Sequence, residues 1–284
     1  MIYDNTRLRT EFKNFLSQQI SRLETSLVLD IFLVGSNLAS LKYVSNKQKI
    51  GQDLGVRVEL HHFAESQLMQ LKTEFRQVPQ TSGLILQLPA PAESLELLDT
   101  IGLEQDVDFL NPANYPLWDL GFLPPTIRAI DLVLKDLFNP NQTIGQLLQT
   151  KLNLAGQTIA VIGQGKLVGK PLLEYLVRTR ATIISVNIDT VQPHQLTRQA
   201  DIVISAAGSP HLLDRTWFNS KAILIDAATS EDQGQLKGDI HPDQVWPTNT
   251  LVKSPGGIGP ITVLSIFYNL FQLRLAKIQS CVNN

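Results

Sequence analysis

Lys47 is the residue whose type and place could do chemistry. The segment from Gly35 to Gly51 has the spacing of a helix, with Ala39, Tyr43, Ile50 and Leu54 on one stripe at about 100° per residue. Lys47 falls at the edge of that stripe, with Val44 on its other side and Tyr43 one helical step away. Among apolar neighbours an ammonium is desolvated, which disfavours its charged form and brings it toward the range where it exchanges protons. The competing reading is a stem that covers apolar surface while the ammonium reaches water. Gln87-Leu88-Pro89 ends a strand, and Asp106-Val107-Asp108 follows in a loop. Ligands of open α/β sheets sit beyond the carboxyl ends of strands. Taken singly, Gln87 reads as a surface group and Asp108 as a turn cap. Together with Lys47 and Tyr43 they supply a lysine, a phenol, an amide and a carboxylate around one crevice. His61 and His62 are adjacent, so on a strand they point to opposite faces. No metal-ligand spacing and no Ser-His-Asp pattern stands out.

A second constellation lies at Val161-Ile-Gly-Gln-Gly-Lys-Leu-Val-Gly-Lys-Pro171, between a strand and a helix. Gly163 permits a tight turn, Gly165 lets backbone approach a ligand, and Gly169 allows close helix–strand packing. The helix N-terminus then offers N–H groups to a pyrophosphate. The G-x-G-x-x-x-G spacing is one residue longer than the usual dinucleotide fingerprint, so its meaning rests on the strand–turn–helix context. A purely structural turn is the alternative. Asp189, 26 residues after Gly163, could accept ribose hydroxyls and repel a 2′-phosphate, or it could be a solvated loop residue. Asp201, before a strand, reads as a turn residue.

The elements that must position these groups alternate along the chain. Strands are expected at 27–34, 56–61 and 83–88, with helices at 65–75 and 93–101 between and after them. Residues 106–119 read as a loop, and a helix opens at Pro124 or Pro125 and runs to about Phe138. Asn139-Pro-Asn-Gln142 reads as the domain linker. A second alternating unit follows: strands at 158–162, 182–186, 201–206 and 222–226, helices at 167–178 and 193–199, and an irregular stretch at 234–247. A final apolar helix runs from about Thr262 to Ile278. Near-continuous apolar strands alternating with helices indicate parallel sheets covered on both faces. The expected fold class is therefore α/β in two domains, the second a Rossmann-like doubly wound sheet.

Composition bounds the function classes. The chain has 284 residues, 43% hydrophobic and 18% charged, enough for about two domains. Net charge is −2 and pI about 6.2, so nucleic acid is not expected as a partner. The single Cys281 forms no intrachain disulfide, which fits a reducing compartment. The first residues lack a signal-peptide core, and the apolar stretch 261–273 is too short for a bilayer and broken by Ser265, Tyr268 and Asn269. A cytoplasmic protein without a membrane partner is expected.

These pieces occur in the order seen in one family. The chain resembles the bifunctional methylenetetrahydrofolate dehydrogenase/methenyltetrahydrofolate cyclohydrolase family. The resemblance is carried by Val34-Gly35 through Ala39-Ser40, Tyr43-Val-Ser-Asn-Lys47, Gln87-Leu-Pro89, Asp106-Val-Asp108, Pro124-Pro-Thr126, Gly163 through Pro171, Ala200-Asp-Ile-Val203, Gly238-Asp239 and Pro255-Gly-Gly-Ile-Gly-Pro-Ile-Thr262. The lysine helix and the last block are the specific ones. The resemblance implies two α/β domains flanking a cleft, residues 1–139 with 262–284 binding folate and residues 140–261 binding the dinucleotide.

It further implies that Asp108 holds the pterin's amino edge, that Lys47, bonded to Gln87, shuttles the cyclohydrolase proton, and that Tyr43 stacks on or positions the folate. Pro255, Gly256 and Gly257 would let backbone crowd the substrate, or merely form a turn feeding the final helix. The cofactor-binding positions are Gly163, Gln164, Gly165, Val168, Gly169, Asp189, Thr190, Ala207 and Gly208. The implied activity is oxidation of methylenetetrahydrofolate and hydrolysis of the methenyl product, in one-carbon metabolism and purine biosynthesis, by a homodimer joined through its nucleotide domains.

The chain departs from the family pattern at several places. The family's Gly-Arg-Ser turn is Gly163-Gln164-Gly165, and its His-Ser after the next strand is replaced around Asp189-Thr190. A neutral Gln164 cannot supply arginine's charged fork to a 2′-phosphate, so NAD stands beside NADP as the cofactor. Phe109 stands for a glycine, Ile127 and a residue near Arg128 for proline and glycine, and Val252-Lys253-Ser254 for Thr-Pro-Val. Two other readings stay open: a shikimate-type dehydrogenase on a similar scaffold, and a folate- or nucleotide-binding homologue without catalysis.

Overall fold

The computed structural model of the chain describes its 284 residues other than 112, 115–117, 119, 120, 233, 283 and 284. Asp119 and the side chains of Ala39 and Cys281 thus lie outside the described residues. The chain groups into two compact units, Met1–Glu11 with Thr126–Thr262 and Phe12–Pro125 with Val263–Asn284. Helix α1 (Thr6–Ile20), unexpected from the sequence, buries Leu8, Phe12, Leu16 and Ile20 at a spacing of four residues.

The lysine-bearing unit is built on a parallel sheet. Its elements are β1 (Val28–Val34), α2 (Leu38–Leu54), β2 (Arg57–Phe63), α3 (Leu68–Gln77) and β3 (Gly83–Leu86), with strand order β2-β1-β3. β1 is central and buried on both faces, which is why it reads as an unbroken apolar run but for Asp30, which meets His61 Nε2 at 2.7 Å. Residues Ala92–Thr100 wind as a 3-10 helix, and Asp106 then pairs with Leu84 in parallel fashion. Two residues further along each chain come Leu86 and Asp108, so the loop acid arrives at the carboxyl end of β3, just before Gln87.

Helix α2 starts at Asn37, whose side-chain oxygen accepts from Ser40 N at 3.0 Å, and stops at Gly55 in the left-handed region, φ +73°. Its buried face is Ser40, Val44, Lys47, Gly51 and Leu54, while Tyr43 and Ile50 are half-buried on the flank. Lys47 therefore sits in the middle of the buried stripe, not at its edge. The cause is Gly51: a Cβ there would come 2.4 Å from Val58 Cγ2, so the helix lies against β2 on the side that carries the glycine.

The glycine-turn unit comprises α4 (Pro125–Phe138), α5 (Ile144–Gln149), β4 (Thr158–Ile162), α6 (Gly169–Val177), β5 (Thr182–Val186), α7 (Pro193–Thr197), β6 (Ile202–Ser205), β7 (Ile223–Asp226), the hairpin β8 (Ser230–Asp232) and β9 (Gln235–Lys237), and β10 (Thr250–Val252). The five strands β10-β7-β6-β4-β5 are all parallel. From β4 the chain crosses to β5 on one side and then returns to β6 on the other, so the order reverses at β4, with the switch point between β4 and β6. α5, the hairpin and β10 were not expected. The break at 139–142 falls inside this unit, because α4 and the first residues are tied into it. Tyr3 OH donates to Asp136 Oδ2 at 2.6 Å, Arg7 pairs with Asp136, and Tyr175 OH donates to Asp131 Oδ1 at 2.5 Å.

The C-terminal helix, Ile258–Val282, begins four residues before the expected Thr262. Its Ile258–Lys277 portion is long and apolar enough to cross a bilayer by length and composition, which corrects the expectation drawn from 261–273; yet 61% of that window is buried inside the protein. Asn269, fully buried, donates to Val107 O and Leu123 O at 2.9 Å each, so this helix serves as a core element.

Gly51→Ala is expected to destabilise the chain in urea unfolding by about 1–3 kcal/mol, the usual cost of overpacking, despite the roughly 1 kcal/mol that alanine gains in helix propensity. A variant as stable as the parent would show that α2 does not rest on Gly51.

Candidate functional site

In the lysine-bearing unit, Lys47 Nζ donates to Gln87 Oε1 at 2.8 Å, with both residues buried. Gln87 Nε2 donates to Leu88 O at 2.8 Å, and Gln87 N to Phe32 O at 2.8 Å. The backbone bond places Gln87 one residue beyond β3. The side-chain bond fixes the amide so that its oxygen faces the ammonium; the flipped amide would set N–H₂ against –NH₃⁺. Burial holds the Lys47 ammonium below its usual range, and the Asp108 carboxylate partly offsets that. Burial raises the Asp108 carboxyl, and Lys47 partly offsets that in turn. Such a lysine can give up its proton more readily than one in water. Tyr43 lies one turn earlier on α2, half-buried.

The loop that carries Asp108 is anchored from below. Fully buried Asp106 accepts from Leu110 N at 3.2 Å, Asn111 N at 3.1 Å and Asn114 Nδ2 at 2.7 Å. Desolvation still raises its carboxyl to about 6. Phe109, in place of the family's glycine, keeps a left-handed backbone at φ +51° and stacks its buried ring on Phe122. The departure is thus absorbed by packing. Asn269 holds the carbonyl of Val107, next to Asp108. Sequence reasoning missed this role, although an asparagine within an apolar helix was a signal for it.

In the other unit, Gly163 has φ +98°, and a Cβ on it would lie 2.4 Å from Ala206 O. A Cβ on Gly169 would lie 2.1 Å from Gly163 O, which is the close helix–turn packing expected of that glycine. No atom lies within 4 Å of a Cβ built on Gly165, so the outer side of the turn is open. Val168 is the residue before α6 and is half-buried; Lys166 and Lys170 are exposed beside the turn and were not counted among the site residues. Gln164 Nε2 donates to Ser185 Oγ at 2.8 Å, and Asn187 Nδ2 donates to Gln164 Oε1 at 3.4 Å. Asp189 is exposed just beyond β5, its N–H donating to Asn187 Oδ1 at 3.1 Å, and Thr190 Oγ1 donates to the same oxygen at 3.0 Å. A dinucleotide fits this donor set: an open glycine turn at a helix start, two flanking cations, and neutral or acidic groups where a ribose would sit.

Ala207 and Gly208 follow β6, across the switch point from Gly163. Two buried carboxylates underlie them. Asp226 accepts from Ile240 N at 2.9 Å and Ala228 N at 3.3 Å, and burial raises its carboxyl to about 7, with the Asp239 charge adding to the rise. Only a glycine at 238 allows that approach, since a Cβ there would lie 2.1 Å from Asp226 Oδ2. In the Pro255-Gly256-Gly257 turn, Asn5 Nδ2 donates to Gly256 O at 2.8 Å and Gly257 O at 2.6 Å. Asn5 is a second positioning residue that sequence reasoning missed. Among the described residues no group of three or more His, Cys, Asp or Glu is placed to hold a metal ion.

Comparison with known proteins locates both sites in one family. Residues 4–108 match the model of the tetrahydrofolate dehydrogenase/cyclohydrolase catalytic domain, and residues 139–278 that of the corresponding NAD(P)-binding domain. The chain is 30% identical over 269 residues to the bifunctional protein FolD 2 of Lactobacillus johnsonii, covering 90% of this chain and 91% of that protein. It is 30% identical over 285 residues to the bifunctional protein FolD of Geobacillus thermodenitrificans, covering 95% and 96%. The crystal structure of the bifunctional FolD of Campylobacter jejuni superposes with a TM-score of 0.83 at 26% identity, over 98% of this chain and 99% of that one.

Asp226 gives a pH test of this geometry. In the folded chain its carboxyl keeps a proton up to about pH 7, against an ordinary value of 3.8. Its contribution to stability is therefore fully present below about pH 4 and lost as pH rises through about 7. Asp226→Asn, neutral at every pH, is expected to remove a decline of up to roughly 1.4 kcal/mol per pH unit from urea-unfolding stabilities in that window. Parallel slopes in variant and parent would show that Asp226 is ionised throughout.

Proposed function

The chain belongs to the tetrahydrofolate dehydrogenase/cyclohydrolase family, and from that membership we infer which of its residues carry the family's two reactions. It oxidises 5,10-methylenetetrahydrofolate to the 5,10-methenyl compound with NADP or NAD, and hydrolyses that product to 10-formyltetrahydrofolate. The observation that carries the assignment of roles is the buried Lys47–Gln87 bond. In the hydrolysis, neutral Lys47 would take a proton from the water that attacks the methenyl carbon. It would return that proton to N5 as the bond from that carbon to N5 breaks and the carbinol hydroxyl gives up its own proton to solvent, leaving the formyl group on N10 and one proton released overall. Gln87 would orient the amine, Asp108 would hold the pterin's amino edge, and Tyr43 would stack against the folate.

In the oxidation, a bound nicotinamide would supply the hydride acceptor for the methylene carbon, and the protein's contribution is positioning. The turn Gly163-Gln164-Gly165, with Val168 and Gly169 behind it, would hold the pyrophosphate, and Asp189 and Thr190 the adenosine ribose. Pro255, Gly256 and Gly257, held by Asn5, would crowd the substrate. Gln164 spends its amide on Ser185 and Asn187 and brings no charge, while Asp189 is an anion. Both features favour NAD over NADP.

The residues support residues 12–125 as the main part of the folate-binding body and 140–261 as the dinucleotide-binding one. We further propose a cytoplasmic homodimer joined through the edge strand β5, which pairs with β4 on one side. No nucleic-acid or membrane partner is proposed. Its product belongs to the class of one-carbon donors that purine biosynthesis consumes.

Methenyl formation should be measured with NAD and NADP separately, beside methenyl hydrolysis. Lys47→Met is expected to lower hydrolysis by roughly 10²–10⁴-fold in a folded protein; undiminished hydrolysis would sink the assignment. The hydrolysis rate of the parent should rise with pH at a midpoint below the free-lysine value of 10.5. Asp108→Asn, which removes the carboxylate that raises the lysine, should move that midpoint lower still. Gln164→Arg is expected to shift the NADP-to-NAD ratio of kcat/KM upward by roughly tenfold or more, as a charged hydrogen bond would. A parent that already prefers NADP strongly would overturn the reading of Gln164 and Asp189.

A further inference from the structure

The loop after β6 turns its donors away from solvent and onto a side chain of its own protein. Asp239 is fully buried. Its Oδ2 accepts from Ser205 Oγ at 2.6 Å, Ala207 N at 2.8 Å and Gly208 N at 3.2 Å, and its Oδ1 accepts from Ser209 N at 2.8 Å. Three successive backbone N–H groups converging on one point form an anion-binding nest, the same device that cradles phosphates elsewhere. All three N–H groups and the Ser205 hydroxyl are engaged by this one carboxylate, which leaves none of them for a further anion. The nest lies at the switch point, since a Cβ on Gly163 would come 2.8 Å from Ala207 Cα. Two loops that could each bind a phosphate thus meet there; at the 163–165 turn Gly163 N donates to Val186 O at 2.9 Å, and the N–H groups of Gln164 and Gly165 remain to meet a ligand.

We propose that Asp239 is a built-in anion that fills the nest of residues 207–209. Phosphate is thereby excluded from that loop and confined to the turn at 163–165, and residues 206–208 meet the dinucleotide through carbonyl oxygens and Cα atoms. Those are acceptors suited to ribose hydroxyls or an amide N–H₂, not to a phosphate. Asp239 is on this account a positioning residue and a determinant of where the dinucleotide's charge lies. The proposal rests on the reading of this unit as dinucleotide-binding.

The test is equilibrium binding of NAD and NADP by calorimetry, with formate as a small carboxylate probe and thermal unfolding as the control for folding. Asp239→Ala is expected to weaken dinucleotide binding by about tenfold. Excess formate, entering the vacated nest, should restore much of it while leaving the parent unchanged. Asp239→Asn keeps the volume but turns an N–H₂ toward backbone N–H groups. It should weaken binding similarly and gain nothing from formate, and it serves alone should the alanine variant fail to fold. Unchanged binding in either variant, or weakened binding in Asp239→Ala that formate does not restore, would overturn the proposal. A parent that binds neither NAD nor NADP would instead overturn the dinucleotide reading on which it stands.

Discussion

A buried ammonium must have an acceptor, and the structure around Lys47 is organised by that requirement. Removing the charge from water without a partner would cost several kcal/mol. Gln87 supplies a neutral partner at 2.8 Å, and a neutral partner differs from a carboxylate in one respect that matters for chemistry. A glutamate there would form an ion pair and hold the lysine protonated. An amide satisfies one N–H and leaves the ammonium's affinity for its proton lowered by burial. The full charge that does oppose burial, Asp108, comes from a different loop and offsets it only in part. Lys47 is thus kept in the protein interior and kept willing to release its proton.

That balance depends on backbone more than on side chains. Gln87 must stand one residue beyond β3, which its N–H bond to Phe32 O ensures, and its amide must not flip, which Leu88 O ensures. Helix α2 must present Lys47 and not Tyr43 to the sheet, which Gly51 ensures by letting the helix approach β2 closely. The Asp108 loop hangs on Asp106 below and Asn269 above. None of these supports would be expected to touch substrate, yet each sets a distance on which the lysine's proton affinity depends.

The extent to which this was legible in the sequence follows the range of the interactions. The strands of both sheets other than β10, and the helices α2, α4 and α6, were legible because apolar periodicity and turn residues are local signals. The α1 helix was passed over although Leu8, Phe12, Leu16 and Ile20 repeat at four residues; its polar remainder hides a narrow stripe. The hairpin β8–β9 and strand β10 are three residues each, too short to show a period. Lys47, Gln87 and Asp108 were legible around one crevice because ligands sit beyond strand ends, but their roles came only through resemblance, since their meeting is tertiary. Even then Lys47 was placed at the edge of its stripe, because Gly51 and Ser40 carry no apolar signal yet define the buried face. The end of the first unit was placed at 139, where Pro and Asn mark a break. The tie of Tyr175 to Asp131 crosses that break, the tie of Tyr3 to Asp136 joins the first residues to the same helix, and neither has a local signature.

The two units use buried carboxylates to opposite ends. In one, Asp108 is only partly compensated, and its charge works on a lysine. In the other, Asp239 is saturated by four donors and its neighbour Asp226 is driven toward neutrality, with the Asp239 charge contributing to that rise. Two carboxyl groups packed under one loop cannot both remain charged at low cost, and here the donors decide which does. Asp226 accepts from the backbone N–H groups of Ile240, Ala228 and Asp239 itself, whereas Asp239 gathers three N–H groups and a hydroxyl as well. The Gly238-Asp239 pair then has a physical reason for its order: the glycine leaves room for the neutral carboxyl, and the aspartate next to it carries the charge that shapes the loop after β6.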